Sequence, residues 1–269
     1  MGWRGGRALA QVQARPGGYR PELAGELQGT TSIDAPSFAG LAEVWLEQRL
    51  GVLRLKAGQI DLSTEVGMLE PAGEFLNPSF GVSPTQMGFP TFPDPRPGVI
   101  GALEIEGHTL RVAAFSSRPG ARPPDYGVVE LDLRRGSVRA AAGAWQHRSV
   151  NGAPRQGMQL VAERRVVLSS GRLLDAYIRY GRSGQGLGVR EHHAAGVVSN
   201  RFGREADLAG LAWTHVAVAV EAGRLHESIA ELFYAWRATP WLELRPDLQL
   251  VHGPGGRGAI ATMRVSISH

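Results

Sequence analysis

The amino-acid sequence predicts an all-β fold built from antiparallel strands. Apolar and polar residues alternate through segments of about ten residues, which is the period expected of strands whose two faces meet different surroundings. Glycine (36 residues) and proline (17 residues) make up about a fifth of the 269 residues, a composition that favours many turns over packed helices. Most of the alternating segments are joined by short connections, as an antiparallel meander requires.

The alternation predicts fourteen strands. They are expected over residues 7–14, 41–48, 52–61, 99–106, 109–116, 127–134, 138–147, 158–167, 172–180, 188–198, 210–220, 227–237, 241–251 and 259–268. Residues 41–50 and 229–236 also fit helical spacing, because their apolar residues recur three and four positions apart. Turn-bounded neighbours such as residues 110–115 do not suit helices, and they favour strands throughout.

Alternation alone leaves two all-β architectures open. In residues 41–48, Glu43, Trp45 and Glu47 occupy alternate positions, and Ala42, Val44 and Leu46 between them are apolar. We call each set of alternate positions along a strand a parity, because its side chains share one face of the sheet. A soluble domain turns its charged parity outward to water, whereas a membrane-spanning barrel turns it inward to an aqueous lumen. No run of about 18 apolar residues occurs, which argues against a transmembrane helix and leaves a transmembrane barrel open.

Composition disfavours several classes of function. The chain has no cysteine, so disulfides, thiolate metal sites and cysteine nucleophiles are excluded. Its net charge is +4, but the arginines are scattered, so we expect no nucleic-acid partner. Adjacent His192 and His193 would point to opposite faces of a strand and could not share one metal ion. No serine, histidine and aspartate fall in a nucleophile-elbow context. We therefore expect no enzyme, no metal site and no cofactor.

One pair of carboxylates leaves a soluble, carbohydrate-active domain open as an alternative. Glu130 and Asp132 lie two residues apart, so their side chains would share one face of a strand about 7 Å apart. That separation is compatible with the acid pair of a glycosidase. Because every alternating polar strand has the same spacing, the pair discriminates little. A soluble all-β carbohydrate-binding or glycoside-hydrolysing domain stays as the alternative.

One connection is unusually long. Residues 63–97 show little alternation and contain seven prolines. A connection of this size in a compact domain is uncommon and is often functional. It could be an external surface loop, or it could fold into a barrel lumen and narrow it. In the second case the constriction would be formed by Glu65, Glu70, Glu74, Asn77 and Phe80.

Several short motifs of distinctive sequence are spread along the whole chain. In the N-terminal half they are QGTTSIDAP at residues 28–36, LAEVWLEQ at 41–48, LRLKAGQIDL at 53–62 and EFLNPSFG at 74–81. In the C-terminal part they are ELFY at 231–234, TPWL at 239–242, PDLQ at 246–249 and HGPGG at 252–256. These motifs, in this order, resemble those of the carbohydrate-selective outer-membrane porin (OprB) family.

The resemblance implies an antiparallel transmembrane β-barrel in a Gram-negative outer membrane that passes sugars by diffusion. Such a barrel has sixteen strands in the family, carries no cofactor and performs no chemistry. The implied partners are carbohydrate solutes and outer-membrane lipid, with association into a homotrimer. Residues 1–269 would be a single porin domain that lacks the signal peptide and the first strands. The chain also departs from the family in ending on His269 instead of an aromatic residue.

In a barrel, one parity of each strand would line the lumen. The expected lumen residues are Glu43, Trp45, Glu47, Arg54, Lys56, Arg111, Glu130, Asp132, Arg139 and Arg264, with Glu231 as a further candidate. Sugars need hydrogen-bonding groups that exchange readily with water, and aromatic faces on which to stack. The simpler expectation for any single charged residue is that it pairs across strands and solvates the wall. Aromatic residues near strand ends are expected at the membrane interfaces: Trp145, Trp213, Tyr234, Trp236 and Trp241.

Overall fold

The computed structural model describes residues 3–18, 26–33, 35–86, 88–118, 124–148, 154–184 and 186–268. It contains fourteen strands: β1 (Gly6–Arg15), β2 (Phe38–Leu50), β3 (Leu53–Ile60), β4 (Arg96–Ile105), β5 (His108–Phe115), β6 (Tyr126–Arg135), β7 (Val138–His147), β8 (Arg155–Val167), β9 (Leu173–Ser183), β10 (Gly188–Asn200), β11 (Leu208–Val220), β12 (Gly223–Thr239), β13 (Leu242–Gly253) and β14 (Gly256–Ile267). All fourteen predicted strands are confirmed, including the two segments that also fitted helical spacing. Met1 and His269 lie outside the described residues.

Among the residues that the structure describes, helical structure is confined to the connection between β3 and β4. It consists of two 3₁₀ turns, Leu62–Thr64 and Pro71–Glu74, and one short helix, α1 (Pro78–Gly81). Pro71 and Pro78 open the last two elements, at the position where a missing N–H costs nothing. In the described part of the chain, no helix is long and apolar enough to cross a membrane.

The strands form one antiparallel sheet in sequence order. Each strand pairs with the next, from β1 to β14, and within the described ranges β1 and β14 do not pair with each other. Most connections at one end of the sheet are two-residue turns, such as Gly51–Val52 between β2 and β3. The two longest connections, residues 16–37 and 61–95, both lie at the opposite end, which we call the long-connection end.

The direction of the two parities decides between the two architectures. Val44, Leu46 and Leu55 lie on the outer face, where they are 40%, 60% and 43% exposed. Glu47 and Arg54, on the other parity of the same strands, are buried inside. A soluble domain would show the reverse arrangement. An apolar exterior around a charged interior is the arrangement of a membrane-spanning barrel.

The interior of the barrel is filled mainly by the connection between β3 and β4. We call residues 61–95 the inner loop. Its side chains Leu69, Phe75 and Phe80 are buried against small residues of the wall, among them Ala141 and Ala194. A second apolar cluster joins Leu62 and Val66 of the inner loop to wall residues at the other side: Ile60, Ile100, Ala113, Phe115, Tyr126, Val128 and Trp145. The small wall residues leave the volume that the inner loop occupies.

Large aromatic side chains of the wall lie over glycines on neighbouring strands. Four cross-strand pairs have this form: Gly98 with Phe115, Gly157 with Trp145, Gly196 with Tyr177, and Gly210 with Phe233. A Cβ at any of these glycines would overlap the partner ring. The rings therefore lie flat along the wall and leave room at the centre. Trp145 is one of these buried rings, so its predicted place at a membrane interface is wrong.

Candidate functional site

The candidate site is the barrel interior, where the inner loop meets the wall. Three carboxylates and two cations meet at its first contact. Arg54 contacts Glu47 at 3.2 Å, Glu65 at 2.8 Å and Glu104 at 2.9 Å. Lys56 lies 2.9 Å from Glu65 and 3.8 Å from the centre of the Trp45 ring. Because Glu65 belongs to the inner loop, these contacts tie the loop to β2, β3 and β4.

Glu65 stays ionised at this contact. Burial alone would raise the pKa of its carboxyl group, but hydrogen bonds from Arg54 and Lys56 and their positive charges outweigh the burial. The pKa of Glu65 is therefore lowered from its ordinary value. An ionised Glu65 neutralises part of the positive charge that Arg54 and Lys56 would otherwise present to the interior.

A second contact lies on β6 and β7. Glu130 accepts a hydrogen bond from the backbone N–H of Gly67 at 2.7 Å, and Arg111 lies 3.1 Å from its other oxygen. Asp132 is 2.9 Å from Arg139, which also donates to the carbonyl of Met68 in the inner loop. Glu130 and Asp132 are fully buried. Neither carboxylate can reach a sugar, so the pair does not form a glycosidase site.

Arg179 on β9 holds the middle of the inner loop. Its guanidinium donates to the carbonyl oxygens of Gly67 at 2.7 Å and Gly81 at 2.8 Å. Next to it, Ser83 contacts Nδ1 of His192 at 3.0 Å, and Nε2 of His192 contacts Thr214 at 3.0 Å. A fully buried chain of polar groups thus connects the inner loop to β10 and β11.

The third side of the inner loop is held by β12 and β13. Both oxygens of Glu231 accept backbone hydrogen bonds, from Leu76 at 2.6 Å and from Asn77 at 2.9 Å. Arg245 donates to the backbone carbonyl and to the carboxylate of Glu74, both at 2.8 Å. The inner loop is therefore attached to the wall from β3 round to β13, and the predicted lumen location of this connection agrees with these contacts.

A second inner segment, residues 26–33, enters from the connection between β1 and β2. Glu227 on β12 accepts hydrogen bonds from the backbone N–H groups of Leu27 at 2.7 Å and Gln28 at 3.0 Å. The backbone N–H of Ser32 in this segment donates to the carbonyl of Leu76 in the inner loop at 2.7 Å. The second inner segment thus packs between the inner loop and the wall at β11 to β13, and sequence reasoning did not predict it.

The predicted pathway residues divide into two groups by exposure. Nine are buried in the interior: Glu47, Arg54, Lys56, Asn77, Phe80, Glu130, Asp132, Arg139 and Glu231. Glu70 of the inner loop is exposed. Five keep accessible surface inside the barrel: Glu43, Trp45, Glu74, Arg111 and Arg264. Glu65 is 11% exposed and lies between the groups. Pairing is therefore the observed arrangement of the first group, whereas only the second group is placed to meet a solute.

Sequence reasoning missed several anchors of the inner segments. They are Arg179, His192, Glu227, Arg245 and Gln249, all buried and all facing inward. Each lies on the inward parity of its strand, so the alternation that identified Glu130 could have found them. His192 is buried inside and His193 lies on the outer face, so the prediction that their rings point apart is confirmed.

A disulfide between the inner loop and the wall would test this placement directly. A Cβ at Gly181 would lie 3.3 Å from the Cβ of Ser83, close to the usual range of about 3.5–4.5 Å in disulfides. We expect Ser83→Cys with Gly181→Cys to oxidise completely in a chain that has no other cysteine. Mass spectrometry checks the bond, and Ser83→Cys with Leu211→Cys, which faces outward, is the control. Free thiols in the first variant would contradict the placement of the inner loop.

Comparison with known proteins finds a family model that matches the C-terminal part of the chain. Residues 136–268 match the model of the carbohydrate-selective porin, OprB family. The match covers 133 of the 269 residues of the chain. The function of this chain is that of a channel for carbohydrates in the cell outer membrane, and not that of an enzyme. No curated protein matches the chain significantly.

Several solved structures share the fold of this chain. The high-pH structure of Pseudomonas putida OprB matches with a TM-score of 0.70 and 17% identity, over 85% of this chain and 73% of that one. The trimer form of OmpT from Vibrio cholerae matches with a TM-score of 0.59 and 10% identity, over 86% and 79%. The anion-selective porin from Comamonas acidovorans matches with a TM-score of 0.55 and 12% identity, over 86% and 75%.

Proposed function

We propose that sugars cross this barrel along the sector of the interior that the inner segments leave uncovered. The observation that carries the proposal is that apolar side chains lie outside the barrel and charged side chains lie inside, which is the reverse of a soluble domain. On β2, the inward-facing Glu43 and Trp45 are only half-buried. On β14, inward-facing Arg264 is half-buried and Thr262 is exposed. The anchored wall from β5 to β12 is covered and contributes little to the path.

The chemistry of this sector suits neutral polyols. Glu43, Arg264 and Glu74 of the inner loop offer acceptors and donors that exchange readily with water. Trp45 offers an aromatic face on which the apolar side of a sugar ring can stack. Since a transported solute must also leave, shallow contacts of this kind suit passage better than a closed pocket. Glu65, Asn77 and Phe80 act in this proposal as the body of the constriction, held in place by the wall.

The test is a conductance measurement. Folded protein in a planar bilayer should open in steps, and glucose or maltose added to the bath should reduce the current through each open channel. Heat-modifiable migration on a gel confirms that the sample is folded. A folded sample that opens no channels would refute the proposed function.

Trp45 allows a sharper test of the path. Removing a stacking face should cost about 0.5–1.5 kcal/mol, so we expect Trp45→Ala to weaken the block by glucose about two- to tenfold. Trp213→Ala is the matched control, because Trp213 lies on the outer face and is 44% exposed. The measurement is the glucose concentration that halves the single-channel current. If this concentration is the same for both variants, Trp45 does not contact sugar in the path.

Two further features belong to the same proposal. Residues 1–269 act as a single porin domain, which the continuous fourteen-stranded sheet supports. Three copies associate in the membrane, for which the trimer form of Vibrio cholerae OmpT offers a structural parallel. Native mass spectrometry of the detergent-solubilised protein should then give the mass of three chains. No observation favours the soluble carbohydrate-binding or glycoside-hydrolysing alternative, because its apolar parity would face water.

A further inference from the structure

The outer face of the barrel carries a cluster of histidines. Four of the eight histidines of the chain lie on the outward parity of four consecutive strands: His193 on β10, His215 on β11, His226 on β12 and His252 on β13. Elsewhere this parity is mainly alanine, leucine and valine. A lipid-facing wall has no need of four imidazoles at one place, since every unpaired polar group there costs free energy.

Two of these imidazoles point at each other across β11 and β12. Nε2 of His215 lies 3.4 Å from Nδ1 of His226. The other nitrogen of His215, Nδ1, lies 2.9 Å from the hydroxyl of Ser228. A hydrogen bond from Nδ1–H to Ser228 leaves the lone pair of Nε2 directed at His226. Trp213 stacks on His215 from the other side, with ring centres 5.9 Å apart, and fixes the plane of the imidazole.

We propose that His215 and His226 bind a divalent transition-metal ion on the outer face of the barrel. Metal–imidazole bonds are about 2.0–2.1 Å long, so two nitrogens 3.4 Å apart subtend an angle of about 110° at the ion. That is the tetrahedral angle. Ser228 supplies the outer hydrogen bond that metal-bound histidines usually make. Imidazole ligands suit Cu²⁺, Ni²⁺ and Zn²⁺, and among these the general order of affinity places Cu²⁺ first.

The remaining coordination positions are open to water. Among the described residues, no group of three or more His, Cys, Asp or Glu side chains could hold a metal. The site therefore has two protein ligands, and His193, whose ring centre is 6.4 Å from that of His215, is not a third. His226 is three residues from the start of β12 and His215 is five residues from the end of β11. Both places are near the long-connection end, within reach of the aqueous surface.

The experiment measures Cu²⁺ binding to full-length, detergent-folded protein without a histidine tag. We expect one Cu²⁺ per chain, with a nitrogen-ligand signature in the electron paramagnetic resonance spectrum. His226→Gln should weaken binding at least tenfold, and Ser228→Ala should weaken it by a smaller factor. The matched control is His252→Gln, because His252 lies on the same outer face one strand further on and should leave the affinity unchanged.

Acid supplies an independent readout that does not depend on any variant. Because both imidazoles must be deprotonated to bind, Cu²⁺ affinity should fall in acid. Folding of every variant is checked by heat-modifiable migration. Equal Cu²⁺ affinity in His226→Gln and His252→Gln would overturn the proposal. The absence of Cu²⁺ binding in the parent protein would also overturn it, and would mean that His215 and His226 are joined only by a hydrogen bond.

Discussion

Arg54→Met is expected to destabilise the barrel by about 3–5 kcal/mol, the usual cost of removing one partner from a buried ionic cluster. Arg54 lies within 3.2 Å of Glu47, Glu65 and Glu104, and methionine would leave these carboxylates with Lys56 as their nearest buried cation. The loss of one positive charge should also make the open channel more selective for cations. Denaturant unfolding in detergent measures the first effect, and reversal potentials in a salt gradient measure the second.

Arg201→Met is the matched control for this prediction. Arg201 forms an exposed ion pair with Glu205, at 3.3 Å, outside the barrel interior. Exposed pairs contribute about 0–1 kcal/mol, so this variant should unfold near the parent and keep its selectivity. If Arg54→Met and Arg201→Met unfold at the same denaturant concentration, the Arg54 cluster does not hold the inner loop.

The effect of Arg54→Met should depend on pH. The pKa of Glu65 is lowered in the folded barrel, so its ion pairs stabilise the fold at pH values above its unfolded pKa. That stabilisation is lost as the pH falls through the lowered folded pKa. The stability difference between the parent and Arg54→Met should therefore be constant near neutral pH and should shrink in strong acid.

The strands and their two faces were predictable from the sequence because both follow from local alternation. A period of two places Glu43, Trp45 and Glu47 on one face whatever the rest of the chain does. Which face meets lipid was not decided by the alternation, since a sandwich and a barrel show the same pattern. The resemblance supplied that choice, and the outward exposure of Val44 and Leu55 agrees with it.

The partners of the charged residues could not be predicted, because they are distant in sequence. Glu130 bonds to Gly67, 63 residues away, and Glu231 bonds to Leu76, 155 residues away. Alternation gives the face of a residue and no information on what lies opposite. Glu130 was therefore predicted as a pathway residue, although in the structure it anchors the inner loop. The predicted interface position of Trp145 was wrong for the same reason, since proximity to a strand end does not tell which face of the sheet a ring occupies.

Replacing the inner loop by a tight turn should produce the largest change in conductance. Ile60 and Arg96 are cross-strand partners, so residues 61–95 can be replaced by Asn-Gly without altering the register of β3 and β4. The variant loses the apolar and hydrogen-bonded mass that fills the interior, and water would solvate Arg179 and Glu231. We expect a larger single-channel conductance and loss of the glucose block, both measured in planar bilayers.

The matched control shortens a connection that lies outside the interior. Asn200 and Leu208 are also cross-strand partners, so residues 201–207 can be replaced by the same Asn-Gly turn. This variant should conduct like the parent. Where the inner-loop variant fails to fold, Phe75→Ala with Phe80→Ala tests the same point, because each lost buried ring costs about 3–5 kcal/mol of the packing that holds the loop. An unchanged conductance in a folded inner-loop variant would mean that the narrowest part of the path is formed by the wall and not by the loop.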